Sequence, residues 1–151
     1  MVTTQPQPQS PLTGGCLCQK ITYRVDLPPT EPLPKIILCH CTSCKRYTGS
    51  AFSSNLVVPA SSLVYTSGTP KLYLGASDRG PEVRRQFCAD CGSPFTSQPG
   101  GADQIIILKT GTLDADSRAR CGQLGMEIWC RSKDEWVDQV GRVKTTETNM
   151  G

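Results

Sequence analysis

Alternating apolar and polar positions predict several short β-strands along the chain. In residues 20–25 the alternation is strict, so Ile21, Tyr23 and Val25 share one face of an extended segment. Residues 104–111 form the most apolar run of the chain and predict a buried central strand. No segment keeps the 3.6-residue period of a long amphipathic helix. The pattern therefore favours a mainly β protein.

Shorter signals extend this assignment. Residues 63–66 and 71–75 flank the turn signal Ser67–Pro70 and predict a β-hairpin. The only helix predicted is a short turn after Cys44. The 14 glycines and 12 prolines are spread along the chain, which favours many short elements joined by turns. Further strands are predicted at 35–39, 54–58, 82–87 and 125–130. The predicted fold class is all-β.

Length and composition indicate one globular domain. The chain has 151 residues, enough for a single buried core. Hydrophobic residues make up 37% and charged residues 19%, which suits a folded protein. We predict a domain over residues 13–144, a disordered Pro/Gln-rich tail over 1–12 and a C-terminal tail over 145–151.

Charge and hydropathy exclude some classes of partner. The formal net charge of +3 is too small to predict nucleic-acid binding. No apolar run approaches the about 20 residues of a membrane span, and the N-terminus lacks the pattern of a signal peptide. We therefore expect a cytoplasmic protein with reduced thiols. Its nine cysteines then indicate metal binding rather than disulfides.

Four cysteines form two closely spaced pairs. Cys16 and Cys18 are two residues apart, so on an extended strand their sulfurs point to the same side. Cys88 and Cys91, followed by Gly92, have the spacing of a zinc knuckle. Together the pairs predict a closed four-thiolate zinc site that joins the first strand to a late hairpin. The alternative is four buried cysteines without metal.

A second cluster has three cysteines, Cys39, Cys41 and Cys44. Three protein ligands and one open position form the pattern of a catalytic zinc. The open position could take water, a carbonyl oxygen or an external thiolate. The alternative is a second closed site, completed by Cys121 or Cys130.

Three remaining residues have open roles. Cys130 shares parity with the apolar residues of its strand, which predicts a core position, whereas Cys121 lies in a polar turn and is expected to be more exposed. His40 lies between Cys39 and Cys41, so on a strand it points away from their metal. We expect a solvated side chain; the alternatives are a hydrogen-bonding or proton-transfer role and a role as ligand of that zinc.

Five segments together resemble the glutathione-dependent formaldehyde-activating (GFA) family. They are GGCLCQKITYRV, CHCTSCKRYTGSAF, FCADCGSPF, KTGTLD and EIWCRSKDEW, and they span about Gly14 to Trp136. The resemblance implies a β-tent fold of small antiparallel sheets packed against each other. It also implies two zinc ions per chain. The structural zinc falls on Cys16, Cys18, Cys88 and Cys91, and the zinc that meets glutathione falls on Cys39, Cys41 and Cys44.

The activity implied by this resemblance is that of a carbon–sulfur lyase similar to S-(hydroxymethyl)glutathione synthase. Such an enzyme adds glutathione, or a similar thiol, reversibly to formaldehyde or another small carbonyl compound. One alternative is a non-catalytic module that binds zinc and glutathione or docks a partner. Another is a redox enzyme of the methionine sulfoxide reductase kind, with Cys121 or Cys130 as its reactive thiol.

Residues after the three-cysteine cluster suit a glutathione-like ligand, which carries two carboxylates. Lys45 and Arg46 could pair with a carboxylate. Thr48, Gly49 and Ser50 offer hydroxyl and backbone donors in a tight turn. The alternative is an ordinary solvated basic pair.

One position departs from the family pattern. Glu127 stands where family members often have a histidine before an apolar-aromatic pair. We therefore expect Glu127 to contact the substrate and substrate choice to differ from that of the best-known members. Further basic residues that could contact a glutathione-like ligand are Arg84, Arg85 and Lys109.

Overall fold

The structure is a computed structural model that describes residues 9–77 and 80–148. Within these ranges it has ten strands and two α-helices, joined by turns and short 3-10 helices. The strands are β1 Leu12–Gly15, β2 Thr22–Val25, β3 Ile36–Cys39, β4 Ser53–Pro59, β5 Leu63–Ser67, β6 Lys71–Gly75, β7 Val83–Phe87, β8 Pro94–Gln98, β9 Ile105–Lys109 and β10 Leu124–Ile128. The helices are α1 Thr42–Thr48 and α2 Ala115–Arg120. The 3-10 helices cover Ala60–Ser62, Thr110–Thr112, Cys130–Ser132 and Glu135–Gln139.

The strands form two sheets, which confirms the predicted mainly β fold class. A three-stranded sheet has the order β1-β2-β5, and a seven-stranded sheet has the order β10-β3-β4-β9-β8-β7-β6. Neighbouring strands are antiparallel except for the parallel pair β10 and β3. The apolar strand β9 lies in the middle of the larger sheet, as its sequence predicts. Neither sheet of the described chain closes into a barrel.

The core joins the small sheet to one face of the large sheet. From the small sheet, Tyr23 is fully buried and makes edge-to-face ring contacts with Tyr65 and Phe95, at centroid distances of 6.4 and 5.8 Å. Phe95 of β8 also contacts Tyr65 at 5.7 Å. Leu56 and Leu108 contribute the aliphatic part from the large sheet. Burying these side chains supplies the main driving force for packing the two sheets together.

A bulge in β8 lets its two faces serve different purposes. Gln86 pairs with Thr96 and Phe87 with Pro94, so Phe95 is an extra residue in the ladder. Without a bulge, Phe95 and Ser97 would share one face, because side chains alternate along a strand. Instead, Phe95 packs in the core, whereas Ser97 lines a cavity on the opposite face.

Two local predictions are wrong. Strands β5 and β6 do not form a hairpin, because β5 pairs with β2 and β6 pairs with β7. The Ser67–Pro70 link therefore passes from one sheet to the other. Helix α2 has no counterpart in the predicted elements, and α1 begins before Cys44 rather than after it.

The ends of the chain bear on the domain boundaries. Residues 1–8 and 149–151 of the expected tails lie outside the described residues. Leu12, the last residue of the expected N-terminal tail, is the first residue of β1 and is 1% exposed. The described helices include none with the length and apolar character that a membrane span needs.

Candidate metal centres and active site

The first cysteine cluster joins the two sheets. Cys16 and Cys18 lie in the turn that follows β1, and Cys88 and Cys91 lie in the turn between β7 and β8. The expected strand geometry of the first pair is thus wrong. The turn is closed by the Gln19 amide, which donates to the Cys16 carbonyl at 2.9 Å, and Gln19 has a positive φ of 59°. The reversal still brings both sulfurs to one side.

The donor set and spacing of this cluster fit a zinc ion. All four sulfurs lie within 4.8 Å of one another. Cys16 Sγ is 3.5 Å from Cys18 Sγ, which is 3.8 Å from Cys88 Sγ. Four thiolates about 2.3 Å from a zinc ion stand about 3.8 Å apart at tetrahedral angles. Both Cys16 and Cys88 are fully buried, so the cluster could hold a closed structural zinc.

Backbone and serine donors hold the two turns together. Gly92 has φ 76°, and its amide donates to the Cys88 carbonyl at 2.9 Å. The Ser93 hydroxyl accepts from the Leu17 amide at 2.9 Å and lies 3.3 Å from Cys91 Sγ. This hydroxyl lowers the pKa of the Cys91 thiol to about 5. Sequence reasoning missed Ser93, although its place directly after Cys91-Gly92 was a usable signal.

The second cluster spans a strand end and a helix start. Cys39 is the last residue of β3, Cys41 is the N-cap of α1, and Cys44 lies in its first turn. The Cys44 amide donates to Cys41 Sγ at 3.4 Å, as in an ordinary capped helix. The Cys39 and Cys41 sulfurs are 3.5 Å apart, and all three lie within 4.8 Å of one another. This spacing also fits zinc.

The two clusters differ in what lies beside them. All three residues of the second cluster line a cavity of about 600 Å³ on the outer face of the seven-stranded sheet, whereas none of the first cluster does. The cavity wall is largely apolar, with Ile37, Val57 and Ile107 from the sheet. The rim includes Trp129 and Arg131, whose guanidinium lies 4.6 Å from the indole ring.

Two buried cations lie in the cavity wall. Lys109 is 3% exposed and Arg85 is 9% exposed. The Lys109 ammonium donates to Asn55 Oδ1 at 2.7 Å. Both cations lie near the ring of Tyr47, with centroid distances of 5.7 Å for Lys109 and 5.6 Å for Arg85. The cavity therefore has thiols on one side and positive charge on another.

Electrostatics couples these groups. A hydrogen bond from Cys39 lowers the pKa of the Cys44 thiol to about 5, with further help from Ser53 and the charge of Lys109. Burial lowers the pKa of Lys109 to about 8, although the neighbouring thiolates act in the opposite direction. The pKa of Cys39 is raised by its hydrogen bond to Cys44 and by burial, so Cys44 gives up its proton more readily than Cys39 does.

Comparisons with known proteins assign the chain to a family and support its fold. A profile described as glutathione-dependent formaldehyde-activating enzyme matches residues 11–132. The chain belongs to this family. In a search of solved structures, a crystal structure of a Rhodobacter sphaeroides protein matches with a TM-score of 0.57 and 20% identity. The match covers 76% of this chain and 98% of that one, and it supports the fold alone. A sequence search of curated proteins found no match.

Glu127, where we expect this GFA-family chain to depart from the family motif, contacts His40, which lies between Cys39 and Cys41. His40 is fully buried, so the expected solvated side chain is wrong. Its Nε2 is 2.9 Å from Glu127 Oε1, and its ring packs edge-on against Phe52 at 5.6 Å. The Lys133 ammonium lies 3.3 Å from the same Glu127 oxygen and donates to Oε2 at 3.4 Å. Hydrogen bonds from His40 and Lys133 lower the pKa of Glu127.

The residues expected to bind glutathione lie outside the cavity wall. Lys45 donates to the Ser132 carbonyl at 2.6 Å and pairs with Asp134 at 2.9 Å. It therefore links α1 to the segment that follows the rim residues Trp129 and Arg131. The Thr48 hydroxyl donates to the Cys44 carbonyl at 2.9 Å. The other expected residues have these places: Arg46 is exposed, Gly49 is the left-handed C-cap of α1, Ser50 follows it, and Glu127 pairs with His40. Of the additional basic candidates, Arg85 and Lys109 line the cavity and Arg84 does not.

Neither remaining cysteine joins a cluster in the described chain. Cys121 caps the end of α2 and is 3% exposed, so the expectation of an exposed thiol is wrong. Cys130 is exposed, which contradicts its expected core position. The reason is that β10 ends at Ile128 and Cys130 begins a 3-10 helix, so the alternation of the strand does not extend to it. The side chains of β10 are themselves all exposed, because β10 is an edge strand. All nine cysteines are free of disulfide bonds.

Proposed function

We propose that this protein is a zinc-dependent carbon–sulfur lyase of the GFA type. It adds glutathione, or a similar thiol, reversibly to formaldehyde or another small carbonyl compound. The observation that carries this proposal is the contrast between the two clusters. Cys39, Cys41 and Cys44 open on a cavity large enough for a small molecule, whereas the four-cysteine cluster lies away from it. Membership of the GFA family supports the same reaction class.

Two zinc ions per chain are part of the proposal. One is structural and is held by Cys16, Cys18, Cys88 and Cys91. The other would be held by the three cysteines at the cavity, which would leave one position for a ligand. A zinc ion there would keep the sulfur of a bound thiol deprotonated at neutral pH. In the net reaction a sulfur–carbon bond forms, the carbonyl π bond breaks, and the thiol proton ends on the carbonyl oxygen.

The protein's own residues prepare the cavity for this reaction. Ile37, Val57 and Ile107 exclude water from one wall, which strengthens electrostatic interactions in the cavity. Lys109 and Arg85 place positive charge where thiolate and alkoxide charge gathers. Asn55 fixes the Lys109 ammonium by a hydrogen bond. We therefore propose that these cavity residues, rather than Lys45 and Arg46, make the main contacts with the substrate.

The same proposal places the protein in the cytoplasm. A reducing compartment keeps thiols available as metal ligands, and all nine cysteines here are free. Glutathione is also abundant in compartments whose reduction potential keeps thiols reduced.

The experiment that tests the function is NMR exchange spectroscopy between free formaldehyde and its glutathione adduct. The wild-type protein is expected to accelerate this exchange. Cys41→Ser removes one of three thiolates, and a serine hydroxyl is hard to deprotonate, so acceleration should be lost while the domain stays folded. Cys130→Ser is the control, because Cys130 is exposed and belongs to neither cluster. Full acceleration by Cys41→Ser, or none by the wild type, contradicts the proposal.

A further inference from the structure

A polar patch lies on the face of the seven-stranded sheet that lines the cavity. It consists of Arg85, Ser97 and Lys109, which we call the basic patch. Arg85 on β7 pairs directly with Ser97 on β8, and Ser97 pairs with Ile107 on β9. Lys109 follows two residues later on the same face of β9, and all four side chains line the cavity. The basic patch is therefore contiguous across three neighbouring strands.

Within the basic patch, the Ser97 hydroxyl gives the strongest indication that a ligand binds there. Ser97 is 6% exposed, and its Oγ is buried with no hydrogen-bond partner among the residues that the structure describes. A buried hydroxyl without a partner costs stability, so such groups in folded proteins call for a specific explanation. The β8 bulge turns this side chain away from the core and into the cavity. A ligand in the cavity would supply the missing partner.

Like the Ser97 hydroxyl, the two cations of the basic patch lack a partner in the described chain, in their case an acidic group. Within residues 9–77 and 80–148, neither Arg85 nor Lys109 has an acidic group at ion-pair distance, and no Asp or Glu lines the cavity. The Arg85 guanidinium is held in place by close packing, because a β-carbon on Gly75 would come within 2.6 Å of its Nη1. Buried charges are normally paired, so this arrangement indicates an external anion.

Charge balance leaves one cation for that anion. Before a substrate thiol binds, zinc held by the three thiolates would carry one net negative charge, which would offset one of the two buried cations. The other remains beside the Ser97 hydroxyl. A guanidinium, an ammonium and a hydroxyl on one wall match the two oxygens of a carboxylate, which accepts charge-assisted hydrogen bonds.

We propose that Arg85, Ser97 and Lys109 form a carboxylate-binding subsite for the substrate of the three-cysteine centre. This inference rests on the proposed function, and it narrows the substrates to those in which the thiol or the carbonyl compound carries a carboxylate. The Ser97 hydroxyl donates a hydrogen bond to a carboxylate oxygen, and Arg85 and Lys109 supply the opposing charge. The subsite orients the substrate beside the sulfurs and takes no part in proton transfer.

The test uses two serines with the same burial. Ser97 and Ser62 are both 6% exposed, but Ser62 Oγ donates to the Pro59 carbonyl at 2.7 Å and lies outside the cavity. Binding of glutathione, its diethyl ester and glyoxylate to the zinc-loaded full chain is measured by calorimetry. Ser97→Ala should weaken binding of a carboxylated probe about tenfold, or about 1.4 kcal/mol, and should not lower the thermal midpoint of the protein without ligand. Ser62→Ala should lower the midpoint and leave binding unchanged.

The arms of this experiment separate the possible sources of the carboxylate. Weaker glutathione binding by Ser97→Ala, with ester binding unaffected, places the carboxylate on the thiol. Weaker glyoxylate binding places it on the carbonyl compound. Arg85→Gln should give the same pattern with a larger loss. The subsite is refuted if neither acid binds the wild type, or if Ser97→Ala weakens the binding of neither acid. Because no turnover is measured, that failure is distinct from an absence of formaldehyde exchange.

Discussion

Replacing Cys88 by serine tests the role of the four-cysteine cluster. Cys88 is fully buried, and its sulfur lies 3.8 Å from that of Cys18, 70 residues earlier in the chain. A metal that joins these turns closes a loop of this length, and the loss of such a cross-link costs about 4.4 kcal/mol in loop-closure entropy alone. Small domains are stable by only about 5–15 kcal/mol, so this loss leaves the fold marginal.

The assay is thermal unfolding followed by circular dichroism, together with the zinc content per chain. A loss of about 4.4 kcal/mol corresponds to a fall of about 10–15 °C in the midpoint for a domain of this size. Cys88→Ser should show this fall and lose one zinc. Cys130→Ser, at an exposed position outside both clusters, should change neither quantity. A Cys88→Ser protein with two zinc ions and an unchanged midpoint would refute the assignment of a structural metal.

Three further predictions follow from single contacts. Lys45→Ala removes the ion pair with Asp134, which should lower stability by about 1 kcal/mol and keep the zinc content; an unchanged urea midpoint contradicts this. Glu127 has a lowered pKa, so its contribution to stability is present above its ordinary pKa, about 4, and is lost as the pH falls through the folded value. Glu127→Gln should flatten that acid-side slope, and an unaltered pH profile of unfolding contradicts the pairing with His40. Phe95→Ala should cost about 3–5 kcal/mol, because the ring is fully buried against two tyrosines, whereas Phe95→Leu should cost less than half as much. Equal losses of the two variants in urea unfolding would mean that apolar bulk without the ring contributes nothing at this position, which contradicts the prediction.

Cysteine spacing was enough to predict both clusters, because a turn or a strand end brings residues two or three apart within reach of one ion. The local geometry was less predictable. Cys16 and Cys18 lie in a turn rather than a strand, owing to the left-handed conformation of Gln19. His40 was expected to point away from the sulfurs, but nothing in the sequence showed that it pairs with Glu127, 87 residues later.

Pairing between distant strands was the main limit of sequence reasoning. The Ser67–Pro70 turn signal is local, whereas the partners of β5 and β6 lie elsewhere in the chain. The cavity depends on such pairings, since Arg85, Ser97 and Lys109 meet only through the register of three strands. A bulge of one residue at Phe95 decides which way Ser97 points, and no periodicity in the sequence marks it.

The central claim is that the three-cysteine centre has an open position that a thiol can take, whereas the four-cysteine centre is closed. Cobalt substitution measures this most directly, because sulfur-to-cobalt charge transfer absorbs in proportion to the number of cobalt–thiolate bonds. With both centres loaded, glutathione should raise this absorption by one additional bond per chain in the wild type. Cys88→Ser, if it keeps the second centre, should respond equally, and Cys41→Ser should not respond. An unchanged wild-type spectrum at saturating glutathione would contradict the claim.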